Sequence, residues 1–308
     1  MASVKGVAAP TPSGVRRAWV RWREPLIPWL WIGVAVVFVG VFLLWPVIDT
    51  IWLSLQNFDS SQFVGLANYR QVFTRPDMLE VLRNNLIWLV LATAGTVLLG
   101  LLVAVLVDRV KIESAAKATI FIPMAISFVG AGVIWKFMYD FAPSGETQIG
   151  LLNAFLTRLG FHPVAWLQTP AVNNLALIAV YVWIWTGFCM VILSAALKGV
   201  PADVLEAARV DGATEIQIFF RVIVPMISPT IAVVATTMVI NVLKIFDIIY
   251  VMTGGNFSTN VVAMQYYQEE FNFNDFGVAS ALAVVLLIAV VPIMYINLRR
   301  FRAQEAHR

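Results

Sequence analysis

Apolar residues in this chain come in long, nearly unbroken runs rather than in alternating stripes. A helix that crosses a bilayer needs about 20 mostly apolar residues. Six windows meet that length: 26–48, 86–107, 118–139, 175–197, 229–252 and 278–296. In lipid only a helix or a closed barrel satisfies every backbone group, so the pattern predicts an all-α membrane protein with about six transmembrane helices. The first window resembles a secretory signal in position. Its apolar run is too long for one, and Trp45, Pro46 and Val47 stand where a small-residue cleavage site would be expected. It is therefore read as a retained helix. The expected organisation is a tail at 1–24, a six-span domain at 25–298, and a second tail at 299–308.

Composition agrees. The chain has 308 residues, of which 60% are hydrophobic and 13% charged; soluble domains carry about 25% charged residues. Mean hydropathy is +0.82. The net charge of +3 does not point to nucleic acid, because the basic residues flank the apolar runs. Fifteen Lys and Arg fall in the two tails and in the connections after the second and fourth windows, against four (Arg70, Arg75, Arg83, Arg158) in the remaining connections. The positive-inside rule then predicts that both termini are cytoplasmic. The 1–24 tail, rich in Ala, Pro and Arg, reads as mobile. The single cysteine, Cys189, lies inside an apolar run and reads as a small buried hydrophobe.

One connection departs from the rest. The segment 198–228 opens KGVPADVLEAARVDGA; it is too polar to span, yet patterned for helix. Pro201 suits a first helical position, and Val204, Leu205, Ala207 and Ala208 form a small, mostly apolar face. Gly212 interrupts the pattern where a turn takes a positive φ, and Asp211 is a candidate cap for a second helix. Ile216, Phe219, Phe220 and Ile223 then recur at helical spacing. Pro225 and Pro229 are expected to end this second helix and begin the next span. Pattern alone fits an amphipathic connector on the lipid surface as well as a surface for another protein.

Glu206-Ala207-Ala208, then Asp211-Gly212-Ala213, then Phe219 and Pro225, resemble the EAA loop of ABC-importer permeases. The resemblance implies a type I permease fold and a coupling helix seated on a cytoplasmic ATPase. Glu206 would meet a basic residue there, and Gly212 would permit the bend. Further matches run through most of the chain. Pro46, Ser54-Leu55 and the stretch from Phe63 to Tyr69 resemble the start of maltose-type sugar permeases. The stretch from Phe246 to Gly255 resembles the end of their penultimate core helix. Where that family often continues Gly-Pro, Asn256 and Phe257 stand here. With Thr259-Asn260-Val261 and Phe276-Gly277, this is closer to the α-glucoside and glucosylglycerol branch.

Polar groups inside spans are costly and mark cavities or partners. Asn241, Lys244 and Asp247 are three apart, which predicts one helix face, with Lys244 and Asp247 able to pair. A lock between helices, or snorkelling at the helix end, is the alternative for Asp247. Tyr181, Trp185 and Phe188 form an aromatic stripe. Such rings can pack on sugar C–H faces while Tyr and Trp donate hydrogen bonds; packing against lipid or neighbouring helices is the alternative. The resemblance places sugar contacts on both helices. Lys136 is expected to snorkel.

The resemblance implies the transmembrane subunit of a binding-protein-dependent ABC sugar importer, for an oligosaccharide or α-glucoside. Its expected partners are a second permease chain, two ATPase subunits holding ATP and Mg, an external sugar-binding protein, and the lipid of a bacterial or archaeal cytoplasmic membrane. No P-loop (Gly-x-x-x-x-Gly-Lys-Ser/Thr) occurs in the chain, so ATP hydrolysis is assigned to a separate subunit; no cofactor or metal is expected. Rival readings are a permease for a non-sugar solute, an ion-coupled carrier using Lys244 and Asp247, and an intramembrane enzyme. The enzyme reading lacks a His-Glu-x-x-His or Gly-x-Ser-x-Gly motif.

Overall fold

The computed structural model describes residues 32–305, apart from 109 and 171. The expected 1–24 tail, the start of the first window and residues 306–308 lie outside the described residues. The chain divides into two compact units at Trp52/Leu53.

Of the first unit the structure describes α1, Ile32–Leu53, whose last residue falls to the second unit. A π-turn at Gly40–Leu44 interrupts it, and Phe38 stacks on Phe42 at 5.6 Å. None of its apolar window is buried, as suits a helix whose solvent is lipid.

The second unit contains α2 (Ala67–Thr74), α3 (Pro76–Val107), α4 (Glu113–Phe121), α5 (Phe128–Met138), α6 (Leu151–Arg158), α7 (Asn173–Lys198), α8 (Ala202–Val210), α9 (Glu215–Leu243), α10 (Asp247–Met252), α11 (Val262–Tyr267) and α12 (Phe276–Glu305). Counting α1, five helices among the described residues are long and apolar enough to cross a membrane, or six if the bent pair of α4 and α5 is one span. The all-α membrane architecture expected from the sequence is the one observed.

Three windows differ in detail. Helix α3 begins ten residues before the expected start at 86, with Pro76 in its first turn. Its 32 residues extend about 48 Å at 1.5 Å per residue, well beyond a ~30 Å hydrocarbon core. The extra turns are amphipathic: Met78 and Val81 pack with Val72, Val278 and Leu282. The window 118–139 is not straight. It bends by 98° between α4 and α5, where Pro123 sits in a 3-10 turn and Ser127 restarts the helix by accepting a hydrogen bond from Gly130 N. The window 229–252 breaks after Leu243. Lys244 leaves helical geometry, Phe246 adopts φ −140°, and α10 starts at Asp247.

Pro225 stands in the first turn of the segment Val224–Leu243, as expected of a residue that begins the span. The preceding helix does not end there: a π-turn at Phe219–Ile223 opens the ladder just ahead of Pro225, and α9 continues through it and through Pro229.

Helices α3 and α7 pack along each other more extensively than any other pair. Gly100 makes this possible: a Cβ there would lie 2.5 Å from the Cys189 Cβ. Cys189 is buried and unpaired, in a cluster with Ala104, Leu193 and Met238. Toward the other end of the same pair, Trp88, Tyr181, Ile184, Ile248 and Ile249 form a second cluster. The connection from α5 to α7 is ordered by the fully buried Asn153. Its amide donates to Asp140 O and Val164 O, and its oxygen accepts from Val164 N and Trp166 Nε1.

Candidate functional site

The residues singled out in the sequence fall into two groups in the structure. The first lies on α8 and the bend after it. Asp211 is the C-cap of α8 rather than the cap of the next helix. Gly212 comes next with φ +80°, and Ala213 N donates back to Ala208 O at 3.1 Å. A left-handed glycine after the last helical residue is a common helix stop, since a Cβ there is disfavoured. The cap of α9 is Thr214. Its hydroxyl accepts from Gln217 N while Gln217 Oε1 accepts from Thr214 N at 2.9 Å. The Thr-x-x-Gln spacing is a capping-box signature legible in the sequence.

Glu206, Ala207, Asp211 and Gly212 are exposed and Ala208 half-buried. Arg209 pairs with Glu215 across the bend at 2.9 Å, which leaves Glu206 outside the ion pairs of the described residues. On the apolar stripe of Ile216, Phe219, Phe220 and Ile223, Phe219 and Ile223 are half-buried. Ile218 is buried there, while Ile216 and Phe220 are 72% and 65% exposed. Val210 is exposed as well. The bend therefore presents an exposed carboxylate beside apolar side chains, a composition that fits a protein partner.

An ionic cluster joins the base of this loop to two other helices. Lys117 of α4 bonds Asp108 Oδ1 at 2.7 Å, Glu113 Oε1 at 2.6 Å and the Ser194 hydroxyl. Ser194 in turn donates to Asp108 at 2.7 Å, and Lys198, at the end of α7, pairs with Glu113. Only the Glu113/Lys117 pair, four apart, had a sequence signal; Ser194 is 77 residues from Lys117.

The second group lies inside the bundle. Tyr181, Trp185 and Phe188 form a chain of ring contacts at 6.1 and 5.5 Å, extended by Trp88 against Tyr181 and Phe128 against Trp185. Tyr181 is buried, and Trp185 and Phe188 are partly so. The Tyr181 hydroxyl and Trp185 Nε1, with Trp135 Nε1 and Thr93 Oγ1, are buried atoms without a hydrogen-bond partner among the described residues. Such atoms are uncommon in a packed interior. Here they put unused donors on the α3, α5 and α7 faces that meet in the bundle.

Asn241, Lys244 and Asp247 do not share one helix face. Asn241 donates back to Thr237 O at 2.9 Å. Lys244 is exposed at the end of α9, and Asp247 stands in the first turn of α10, where a carboxylate is stabilised by the helix dipole. Lys244 and Asp247 form no ion pair with each other, because the break at 244–246 separates them. Lys136 is exposed and approaches Val251 O at 3.5 Å at the edge of a cleft. Among the described residues no cluster of His, Cys, Asp and Glu could hold a metal ion.

A family model described as "Binding-protein-dependent transport system inner membrane component" matches residues 96–302. The chain is 56% identical over 279 residues to the osmoprotective compounds uptake permease protein GgtC of Synechocystis sp., covering 91% of this chain and 100% of that one. It is 47% identical over 281 residues to the alpha-glucoside transport system permease protein AglF of Rhizobium meliloti, covering 91% and 84%. The fold is similar to a chain in the crystal structure of a bacterial ABC transporter involved in the import of the acidic polysaccharide alginate. The TM-score there is 0.76 at 22% identity, over 92% of this chain and 99% of that one.

Proposed function

This chain belongs to the family of binding-protein-dependent transport system inner membrane components, and on that premise we propose that it forms half of the membrane pathway of an ATP-driven importer of an α-glucoside or a related small glycosylated osmoprotectant. The observation that carries this is the α8 bend. An exposed Glu206 outside any ion pair of the described residues, the αL residue Gly212 and exposed Val210, Ile216 and Phe220 stand together, joined through Lys198 and Ser194 to the ends of α3 and α4. A pair of ATPase subunits binding ATP and Mg docks there, and a second permease chain completes the path. An external binding protein delivers the sugar. Both termini and the α8 bend then face the cytoplasm. Closure of the ATPase pair moves α8, and the ionic cluster passes that motion to α3, α4 and α7; each partner biases the same two-state element.

The substrate class is that of the two relatives, which are named for osmoprotective compounds and alpha-glucosides. In this reading Tyr181, Trp185 and Phe188 line the path with Asn241, and the unused Tyr181 hydroxyl and Trp185 N–H supply hydrogen bonds to sugar hydroxyls. Lys244 and Asp247 sit at the helix break, where irregular backbone lines a cavity rather than lipid.

The test is uptake of labelled α-glucosides into proteoliposomes that hold the whole importer with its binding protein. ATP-dependent uptake is expected. Uptake that tracks a proton or sodium gradient and ignores ATP overturns the reading.

A further inference from the structure

Helix α7 begins at Asn173 and ends at Lys198, so the ionic cluster at its end and the structures at its start are about 39 Å apart at 1.5 Å per residue. At the start, three buried asparagines converge on one loop. Asn84 of α3 donates to Ser258 O at 2.8 Å and to Asn260 O at 2.9 Å. Asn173 donates to Phe257 O at 2.5 Å, and Asn174 to Ser258 O at 3.2 Å. The loop they hold is strained. Gly254, Gly255, Phe257 and Ser258 all have positive φ, with Phe257 at +57°. An aromatic residue adopts this conformation only when its surroundings impose it. The result is not burial: Phe257 is 51% exposed.

Phe257 lines a cleft of about 430 Å³ between α5, the α5–α7 connection and α10, within the ~300–1,000 Å³ range of small-molecule sites. Its walls include Tyr139, Tyr250 and Phe257, and its polar groups include Lys136, Asp140 and Gln168. Tyr250 is 46% exposed, and Lys136 has only the long 3.5 Å approach to Val251 O. The chemistry selects a ligand. An apolar ligand would desolvate an ammonium and a carboxylate without compensation. An anion meets Asp140 and a cation meets Lys136. A neutral polyhydroxylated ring satisfies both kinds of wall, stacking its C–H faces on the aromatics and bonding its hydroxyls to the charged and amide groups.

We propose that this cleft is a vestibule subsite that binds one glycosyl unit of the transported sugar at the outer mouth, before it enters the bundle. The proposal rests on the sugar-importer reading above. Phe257, clamped by Asn84, Asn173 and Asn174, is its stacking wall, and Gln168 and Lys136 bond the hydroxyls.

The experiment uses the complete importer in proteoliposomes with saturating binding protein. Phe257→Asn removes the ring while keeping a residue that tolerates positive φ; Phe257→Tyr restores a ring; Gln168→Ala removes one polar contact. Phe257→Asn is expected to lower sugar uptake about fivefold, the scale of a lost aromatic contact. Basal ATPase and association with sugar-free binding protein should stay at wild-type levels, Phe257→Tyr should recover uptake, and Gln168→Ala should fall between. Wild-type uptake in both Phe257→Asn and Gln168→Ala overturns the subsite. Weaker association with sugar-free binding protein also overturns it, by making the cleft a protein-docking surface. A wild-type importer that moves no α-glucoside removes the sugar reading and the subsite together; a working wild type with unaffected variants removes the subsite alone.

Discussion

At the scale of single residues, Glu206 and Gly212 carry separable loads. Glu206 is exposed and outside every ion pair of the described residues, so its charge costs the isolated chain almost nothing to change. Glu206→Lys is expected to shift stability by no more than about 0.5 kcal/mol, as for ordinary surface positions, while abolishing co-purification of the ATPase and sugar-stimulated hydrolysis. Normal transport by this variant would remove the coupling role. Gly212 acts through the backbone. At φ +80° a β-branched side chain costs about 1–2 kcal/mol. Gly212→Val should therefore re-aim α8 and lower stimulated ATPase even where the variant inserts and folds, as checked by thermal unfolding in detergent. Wild-type stimulation in a folded Gly212→Val would show that the bend angle is unimportant.

At the scale of elements, the contact of α3 with α7 and the cluster at their shared end determine what α8 can move. Gly100 permits the close approach, since an added Cβ would overlap Cys189. Gly100→Ala is expected to cost about 1–3 kcal/mol by overpacking, read as a lowered thermal midpoint; an unchanged midpoint would mean the helices can separate freely. Lys117 is the hub that joins α3, α4 and α7 through Asp108, Glu113 and Ser194. Lys117→Met should lower sugar-stimulated ATPase roughly five- to tenfold, the low end of typical coupling energies. Lys117→Arg should retain most of it. Equal loss of basal and stimulated rates in Lys117→Met would assign the cluster to stability instead. Three boundaries that differ from those expected fall where the helical ladder changes locally. Ile126 N bonds back to Pro123 O, Val224 N reaches back to Phe219 O across the π-turn before Pro225, and Lys244 N and Ile245 N turn back to Asn241 O and Val242 O.

At the scale of the whole molecule, orientation is open to direct measurement. Cys189 is buried, so it contributes little background to thiol labelling. Ile149 and Val210 are 82% and 87% exposed and belong to opposite ends of the bundle. In right-side-out vesicles a membrane-impermeant maleimide is expected to label Ile149→Cys directly and Val210→Cys only after permeabilisation. The reverse pattern would invert the topology.

Local chemistry along the chain was enough to set the class of the molecule. Long apolar runs, sparse charge and basic flanks are local quantities, so the helical membrane architecture and the Glu206–Gly212 bend were legible without coordinates. Thr214/Gln217 and Glu113/Lys117 were equally local and open to the same reading. Three-dimensional packing settled the rest: the 98° bend between α4 and α5, the separation of Lys244 from Asp247, Ile218 as the buried residue, and the clamp on Phe257. The physical reason is distance along the chain. Asn84 meets Ser258 across 174 residues and Ser194 meets Asp108 across 86. No periodicity records such meetings, because they arise when packed helices bring together polar groups that lipid cannot satisfy.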